Sequence, residues 1–258
     1  MLPYIRIATA NLPTFPFVIL AALFATALVY IKSAKYEKLF IVDVMKKTIP
    51  VLVGAAIGAK FISAISLLPI AHSISWSRLL LGGSVFYGGI IGGSVSLAII
   101  CAIKKQPFLE YTDVFASLLP LGHAIGRFGC YLNGCCYGCI YDGFLSVNYP
   151  VNGEMVCVFP TWFTEATVCV LLFVFFQCVL KTEIRGIRTA IYFISYSIYR
   201  FFVEFVRGDE IRGYWGVLST SQVISILTFV FGLIVLVYSL KTRMFNYLFT
   251  KENKDCEI

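Results

Sequence analysis

Residues 217–240, VLSTSQVISILTFVFGLIVLVYSL, hold no charged side chain and are built mainly from Val, Ile, Leu and Phe with a few small polar residues. A helix rises about 1.5 Å per residue, so about 20 such residues cross the hydrocarbon core of a bilayer. Lys241 and Arg243 follow at once, where a span would re-enter water. The stretch reads as a transmembrane helix, and that reading governs how the rest of the chain is taken.

Six similar stretches precede it, roughly 14–31, 49–68, 84–103, 113–133, 161–180 and 187–207. Polar groups interrupt the fourth and sixth of the seven, and breaks are expected there. Composition agrees: of 258 residues, 59% are hydrophobic and 14% charged, with mean hydropathy +0.84. Soluble domains carry about 25% charged residues. The sequence therefore predicts an all-α polytopic membrane protein with seven transmembrane helices, forming one integral membrane domain over 1–258. No cleavable signal peptide is expected, because the start lacks a basic flank, a short apolar run and a small-residue cleavage site.

Lysine and arginine gather in the cytoplasmic loops of membrane proteins. Here Lys32, Lys35, Lys38, Lys46 and Lys47 follow the first span, Lys104 and Lys105 the third, and Lys181, Arg185 and Arg188 the fifth. The tail adds Lys241, Arg243, Lys251 and Lys254. The alternate loops hold only Arg6, Arg78, Arg207 and Arg212, and 134–160 holds none. The amino terminus is thus expected outside and the carboxyl terminus in the cytoplasm. Topology and an anionic inner leaflet account for the net charge of +7, so no nucleic-acid partner is implied.

Three features depart from a plain lipid-facing bundle. Lys60, Arg127, Arg200 and Glu204 lie within or near the ends of apolar spans, where a charge costs at least about 2.5–3.5 kcal/mol at mid-bilayer. They read either as structural ion pairs or as groups facing an internal cavity. Arg127 stands among glycines in Gly122-His123-Ala124-Ile125-Gly126-Arg127-Phe128-Gly129, a setting that lets a ligand approach the backbone and suits a presented anion binder. Arg200, Glu204 and Arg207 are spaced i, i+4 and i+7, which puts all three on one helical face. Two guanidiniums beside a carboxylate can hold a phosphate; the plain alternative is an ionic triad at the membrane edge. Finally, Phe86-Tyr87-Gly88-Gly89 opens a span with paired glycines. This reads either as close helix packing or as Tyr87 aimed into a cavity beside a thin helix wall.

These segments, in this order and at these distances, resemble the bacterial phosphatidylglycerol–prolipoprotein diacylglyceryl transferases over roughly 15–240. That family carries a Phe-His-Gly-Gly segment, a Gly-Arg-x-Gly-Asn-Phe-x-Asn-Gly-Glu-x-x-Gly signature and a later Arg-x-x-x-Glu-x-x-Arg. Here they appear as Phe86 to Gly89, as Gly126-Arg127-Phe128-Gly129-Cys130-Tyr131-Leu132-Asn133-Gly134-Cys135-Cys136-Tyr137-Gly138, and as Arg200, Glu204 and Arg207. A His-Pro-Ser-Gln-Leu-Tyr-Glu stretch is weakly echoed by Phe159-Pro160-Thr161-Trp162-Phe163-Thr164-Glu165.

The resemblance implies a multi-pass enzyme of the bacterial cytoplasmic (inner) membrane. It would take a diacylglyceryl group from phosphatidylglycerol and place it on the lipobox cysteine thiol of a preprolipoprotein, working in the lipid bilayer without a cofactor. Glycerol phosphate would leave. Arg127 and Arg200 would stabilise charge on that phosphate. Arg207 would steer the headgroup, Glu204 would hold an arginine, and Gly88, Gly89, Gly126, Gly129 and Asn133 would line the substrate.

Three of the departures from these motifs bear on the chemistry. Tyr87 stands where the family has histidine, and a phenol with pKa near 10 is a poor base at neutral pH. His123, one turn before Arg127, is the candidate to take over proton management, with Tyr87 orienting substrate. Cys130 replaces the signature's asparagine and Cys135 its glutamate, which with Cys136 and Cys139 makes a thiol cluster. Cys136-x-x-Cys139 has the spacing of a redox or metal pair, but zinc sites usually want two separated pairs, so no metal centre is expected. A disulfide on the outer face, a reactive thiol activated by His123 and inert packing all stay open. Two other functions remain beside the leading one: a divergent paralogue with the same phospholipid pocket and another acceptor or thiol-based chemistry, and a membrane anion channel or transporter running past Arg127 and Arg200. The channel lacks the internal repeats common in transporters.

Overall fold

The computed structural model describes residues 4–7, 10–37, 41–67, 86–151, 154–182, 184–208, 214–215 and 217–255. Most of these lie in helices: α1 (Phe15–Glu37), α2 (Ile41–Leu67), α3 (Phe86–Ile103), α4 (Phe108–Asn133), α5 (Thr161–Val174), α6 (Ile187–Val203) and α7 (Thr220–Asp255). By length and composition, three stretches among the described residues suffice to cross a membrane: Phe15–Lys32, Thr161–Val179 and Thr220–Met244. Large apolar side chains stand exposed along them, among them Leu20 and Phe24 on α1 and Leu227 and Ile234 on α7. In a protein this apolar, such faces are the surface that lipid covers.

Several boundaries correct the sequence reading. α2 begins at Ile41 rather than near 49, because Asp43 and Lys47 pair one turn apart and carry the polar stretch into the helix. α4 runs unbroken through Pro120, Gly122 and Gly126, where an interruption was expected. α5 widens into a π turn over Phe175–Val179. α6 does break: it ends at Val203, tightens into a 3-10 turn over Glu204–Val206, and leaves Arg207 extended. Arg207 therefore does not share one α-helical face with Arg200 and Glu204. The fold is also not purely helical. Antiparallel pairs β1 (Tyr4–Ile7) with β2 (Ala10–Pro13), β3 (Val147–Val151) with β4 (Glu154–Val158), and β5 (Tyr214–Trp215) with β6 (Leu218–Ser219) occupy connecting segments.

The chain sorts into two compact units, Ile31–Thr112 and Met1–Tyr30 with Asp113–Ile258. In the first, α2 and α3 cross on glycine. A Cβ added at Gly58 would collide with the Gly88 carbonyl, and one at Gly92 with the Gly54 carbonyl. The backbones touch directly, the small-residue packing that membrane helices favour. Ser96 donates to the Pro50 carbonyl across this crossing at 2.9 Å. Lys47, read from sequence as a loop cation, is buried: it pairs with Asp43 and lies 4.1 Å from the Tyr111 ring centroid, while Tyr111 donates to Asp43 at 2.6 Å.

In the second unit, Ala116, Ala124, Ala166, Cys169, Phe176, Tyr192 and Tyr196 form a core between α4, α5 and α6. Asp113, in the second turn of α4, caps α6 from outside that helix. Its carboxylate accepts from the Gly186 N–H at 2.6 Å, the Thr189 N–H at 2.8 Å and the Thr189 hydroxyl at 2.7 Å. The first N–H groups of a helix have no partner within it, so this buried carboxylate fixes where α6 starts against α4. Ser197 and Thr228 then join α6 to α7 at 2.7 Å.

Candidate active site

α4 carries His123 and Arg127 on successive turns, α5 carries Glu165, and α6 carries Tyr196 and Arg200. One oxygen gathers most of them. Glu165 Oε1 accepts from Arg127 Nη2 at 2.5 Å and from the Tyr196 hydroxyl at 2.6 Å, and lies 3.4 Å from His123 Nε2. Glu165 is 1% exposed. An isolated carboxylate there would be prohibitive; a guanidinium with additional donors makes burial tolerable. The His123 ring packs on Tyr196 at 5.1 Å between centroids, and Tyr196 stacks on Tyr192. Thr164 and Tyr199 share a further hydrogen bond of 2.9 Å between α5 and α6.

Arg200 anchors a second network. Its Nη2 donates to Ser221 Oγ at 3.0 Å and pairs with Glu204 Oε2 at 3.1 Å, while Glu204 Oε1 accepts from Ser219 Oγ at 2.9 Å. Arg200 is 7% exposed. The two networks are electrostatic neighbours, since the Arg200 charge acts on both Glu165 and His123. Both arginines keep donors in reserve: Arg127 Nε and Arg200 Nη1 are buried and have no hydrogen-bond partner among the described residues. Buried guanidinium donors seldom stay unmatched, and an anion with several acceptor oxygens would match them.

The chain leaves α4 at Asn133, which is exposed, and turns sharply. Gly134 takes φ 72° and Cys136 φ 60°, a left-handed conformation that glycine adopts freely and cysteine rarely. This turn folds Cys135 and Cys136 back onto Cys130, and the three Sγ atoms lie within 4.8 Å of one another. Arg127 Nη1, the terminal nitrogen that Glu165 does not take, stands 4.0 Å from Cys130 Sγ. The Cys136 thiol is held well below its ordinary range, first by hydrogen bonds from Cys130 and Cys135 and then by the Arg127 and Arg207 charges. Cys135 is pushed up by the same sharing.

Of the residues singled out in the sequence, His123, Arg127 and Cys130 meet on α4, and Arg200 and Glu204 pair beside them. Arg207 reaches the same region by its backbone, bridging to Gly138, while the Cys139 N–H donates to the Val206 carbonyl at 2.8 Å. Cys139 itself is exposed and stands outside the thiol group, so the Cys136–Cys139 pairing suggested by spacing is not formed. His123 joins Glu165 rather than the thiols. Gly129 packs against Phe15 and Val18, whereas a side chain at Gly126 would meet nothing within 4 Å among the described residues. Gly88 is accounted for by its contact with Gly58. Gly88 and Gly89 lie in α3, in the other unit; the side chain of Tyr87 lies outside the described residues. Lys60, also in that unit, is half-buried on α2.

Glu165, quoted in the sequence only as the end of a weak motif echo, was given no role there. It is the lone charged residue of 161–180, and a carboxylate in an apolar span was the available signal. Tyr196 and Ser221 gave none, since hydroxyls are common in such helices.

A family model described as prolipoprotein diacylglyceryl transferase matches residues 4–238 of the chain. The chain is 37% identical over 158 residues to phosphatidylglycerol–prolipoprotein diacylglyceryl transferase 2 of Clostridium perfringens, covering 59% of this chain and 61% of that protein. It is 35% identical over 191 residues to the phosphatidylglycerol–prolipoprotein diacylglyceryl transferase of Clostridium tetani, covering 71% and 76%. With the protein of that name from Finegoldia magna the identity is 36% over 158 residues, 60% of each. The matched region thus spans about three-fifths of the length of two of these relatives.

Proposed function

The chain belongs to the prolipoprotein diacylglyceryl transferase family, and on that premise we propose that it moves a diacylglyceryl group from phosphatidylglycerol to the lipobox cysteine of a preprolipoprotein. The reaction joins the acceptor sulfur to the terminal glyceryl carbon and breaks the bond from that carbon to phosphate oxygen. The electron pair leaves with glycerol phosphate. Negative charge therefore grows on the phosphate in the transition state, and preorganised donors in a dry site are the usual means of stabilising it.

The unmatched donors of Arg127 and Arg200 carry this reading. Each guanidinium is oriented by a carboxylate, Arg127 by Glu165 and Arg200 by Glu204, and each keeps a buried N–H for an incoming oxygen. His123 and Tyr196 brace Glu165 and so position Arg127. No described residue crowds Gly126, which suits the approach of a headgroup there. Gly89, Asn133, Arg207 and Tyr87 remain assigned to the substrate by their place in the family motifs. The protein would sit in the bacterial cytoplasmic membrane as one domain of seven spans, amino terminus outside, as the alternation of basic loops supports.

The test is direct. Purified protein is incubated with phosphatidylglycerol labelled in its glycerol backbone and a lipobox peptide. Label should appear on the peptide as a thioether, and a Cys→Ser peptide should accept none. Release of glycerol phosphate with no labelled peptide would point to the paralogue with another acceptor. Ion flux through the protein in vesicles with no phospholipid turnover would refute the transferase.

A further inference from the structure

The reaction needs a thiolate acceptor, and an unperturbed thiol with pKa near 8.5 is only a few per cent ionised at pH 7. Tyr87 stands where the family has histidine, and His123 is buried against Glu165, 3.4 Å from its oxygen. Neither supplies an evident means of ionising the acceptor. The three thiols beside Arg127 do. Resting on the transferase reading above, we propose that Cys130, Cys135 and Cys136 bind a zinc ion as thiolates and leave its fourth coordination position for the acceptor thiol.

The geometry suits that ion. Zinc takes thiolate sulfur at about 2.3 Å and prefers a tetrahedron, which sets sulfur–sulfur edges at about 3.8 Å. The three Sγ atoms, already within 4.8 Å of one another, need to close by about 1 Å at most. Their backbone is built to present them. The Cys135 N–H donates to the Cys130 carbonyl at 3.1 Å, the Tyr149 hydroxyl to the Cys135 carbonyl at 3.1 Å, and Thr161 Oγ1 to the Cys136 carbonyl at 2.6 Å. Tyr149 is fully buried and Thr161 nearly so, so the turn is held from below by groups that cannot move aside. The left-handed Cys136 is the strained residue that this support maintains.

Among the described residues no further His, Cys, Asp or Glu joins the three. Three protein ligands and an open place are the coordination of a catalytic rather than a structural zinc. Cys135 is exposed and the other two are half-buried, so the open place can be reached from outside. A zinc with three thiolates carries net negative charge, and the cations Arg127 and Arg207 act on Cys136.

The steps balance without a redox partner. The acceptor thiol binds zinc and loses its proton to water, because a coordinating thiol is deprotonated outright. Its sulfur attacks the glyceryl carbon, the carbon–oxygen bond breaks, and the electron pair leaves on the phosphate beside Arg127. The product is a neutral thioether, a far weaker ligand than a thiolate, and it departs from the metal. The thiol group lies beside the guanidinium, with 4.0 Å between Arg127 Nη1 and Cys130 Sγ, so the glyceryl carbon can sit between the attacking sulfur and the leaving phosphate oxygen.

The full chain, purified reduced in lipid nanodiscs, should contain about one zinc per protein by elemental mass spectrometry. Cys135→Ser and Cys136→Ser should each lose it. Replacing zinc with Co2+ should produce a sulfur-to-cobalt charge-transfer band that strengthens when a lipobox peptide is added and does not when its cysteine is serine. Zinc removal should lower transfer about a hundredfold, the lower range for loss of acid–base assistance, and added zinc should restore it. Reduced protein without a cobalt–thiolate band, copper in place of zinc, a disulfide within the cluster, or full transfer by the zinc-free enzyme would each overturn the proposal while leaving the transferase intact. A three-thiolate cobalt spectrum in protein that modifies no peptide would instead sink the transferase reading, and the fourth-ligand role with it.

Discussion

Glu165→Gln is the sharpest perturbation of the arginine network. Glutamine keeps the shape and an acceptor oxygen but removes the charge that faces Arg127 at 2.5 Å. Two unit charges about 4 Å apart at an effective dielectric near 20 attract by about 4 kcal/mol. Both side chains are largely buried, Glu165 at 2% and Arg127 at 13% side-chain exposure, so water screens little of this. Breaking a buried pair by removing one partner costs about 3–5 kcal/mol, because the other charge is left uncompensated. Arg127 should then leave its position, and transfer should fall about a hundredfold or more, the loss typical of removing one oxyanion donor. The assay is a double-mutant cycle with Arg127→Gln, read in initial transfer rate and in thermal unfolding of the detergent-solubilised protein. The double variant should be no worse than the poorer single variant in rate, and more stable than either. Strict additivity, with coupling below about 0.5 kcal/mol, would refute the claim that Glu165 acts through Arg127.

Arg200→Ala should lower transfer about a hundred- to thousandfold, and Arg200→Lys should recover little of it, because an ammonium cannot replace a planar fork of donors; near-normal turnover in either variant would remove Arg200 from the phosphate site. His123→Gln preserves a donor toward Glu165 and abolishes titration, so a bracing role predicts most of the activity and an unchanged pH–rate profile, whereas a general base predicts loss of one limb of that profile. Gly58→Leu should destabilise the protein by at least about 1–3 kcal/mol through overpacking, visible as a lowered melting temperature, since the Gly88 backbone leaves no room for a side chain. Asp113→Ala removes the acceptor of three hydrogen bonds at the start of α6 and should cost at least about 1–2 kcal/mol in the same measurement.

The apolar helices were legible in the sequence because hydrophobic length is a signal that tertiary contacts barely alter. α1, α5 and α7 begin within a few residues of their expected positions. What the sequence concealed were local polar choices. The i, i+7 spacing of Arg200 and Arg207 assumed an α-helix that in fact tightens at Glu204, and no residue type there announces a 3-10 turn. Polar groups suggested a break in α4, yet the helix runs continuously from Phe108 to Asn133, through Pro120. Three members of the thiol cluster named in the sequence do come together, and the fourth does not. A Cys-x-x-Cys spacing drew attention to Cys139, whereas a left-handed Cys136 brought Cys130 and Cys135 together instead. Arg127 was found because its glycines were unusual. Its partner Glu165 lay 38 positions away, a pairing that only the folded chain discloses.

The capping carboxylate of Asp113 has a mechanical consequence. It fastens the start of α6 to the start of α4, and from that joint two rods rise, about 21 Å along α4 to Arg127 and about 17 Å along α6 to Arg200. Left alone, such a pair would swing like a compass, and a rotation of about a tenth of a radian would move the far ends by roughly 2 Å. Glu165 is the crossbar: it takes Arg127 from one rod and Tyr196 from the other through a single oxygen. A frame braced at its joint and near its far ends cannot shear unless one of those bonds lengthens. The gap between the two cationic tips is thereby set by hydrogen-bond lengths rather than by the lateral pressure of the surrounding lipid.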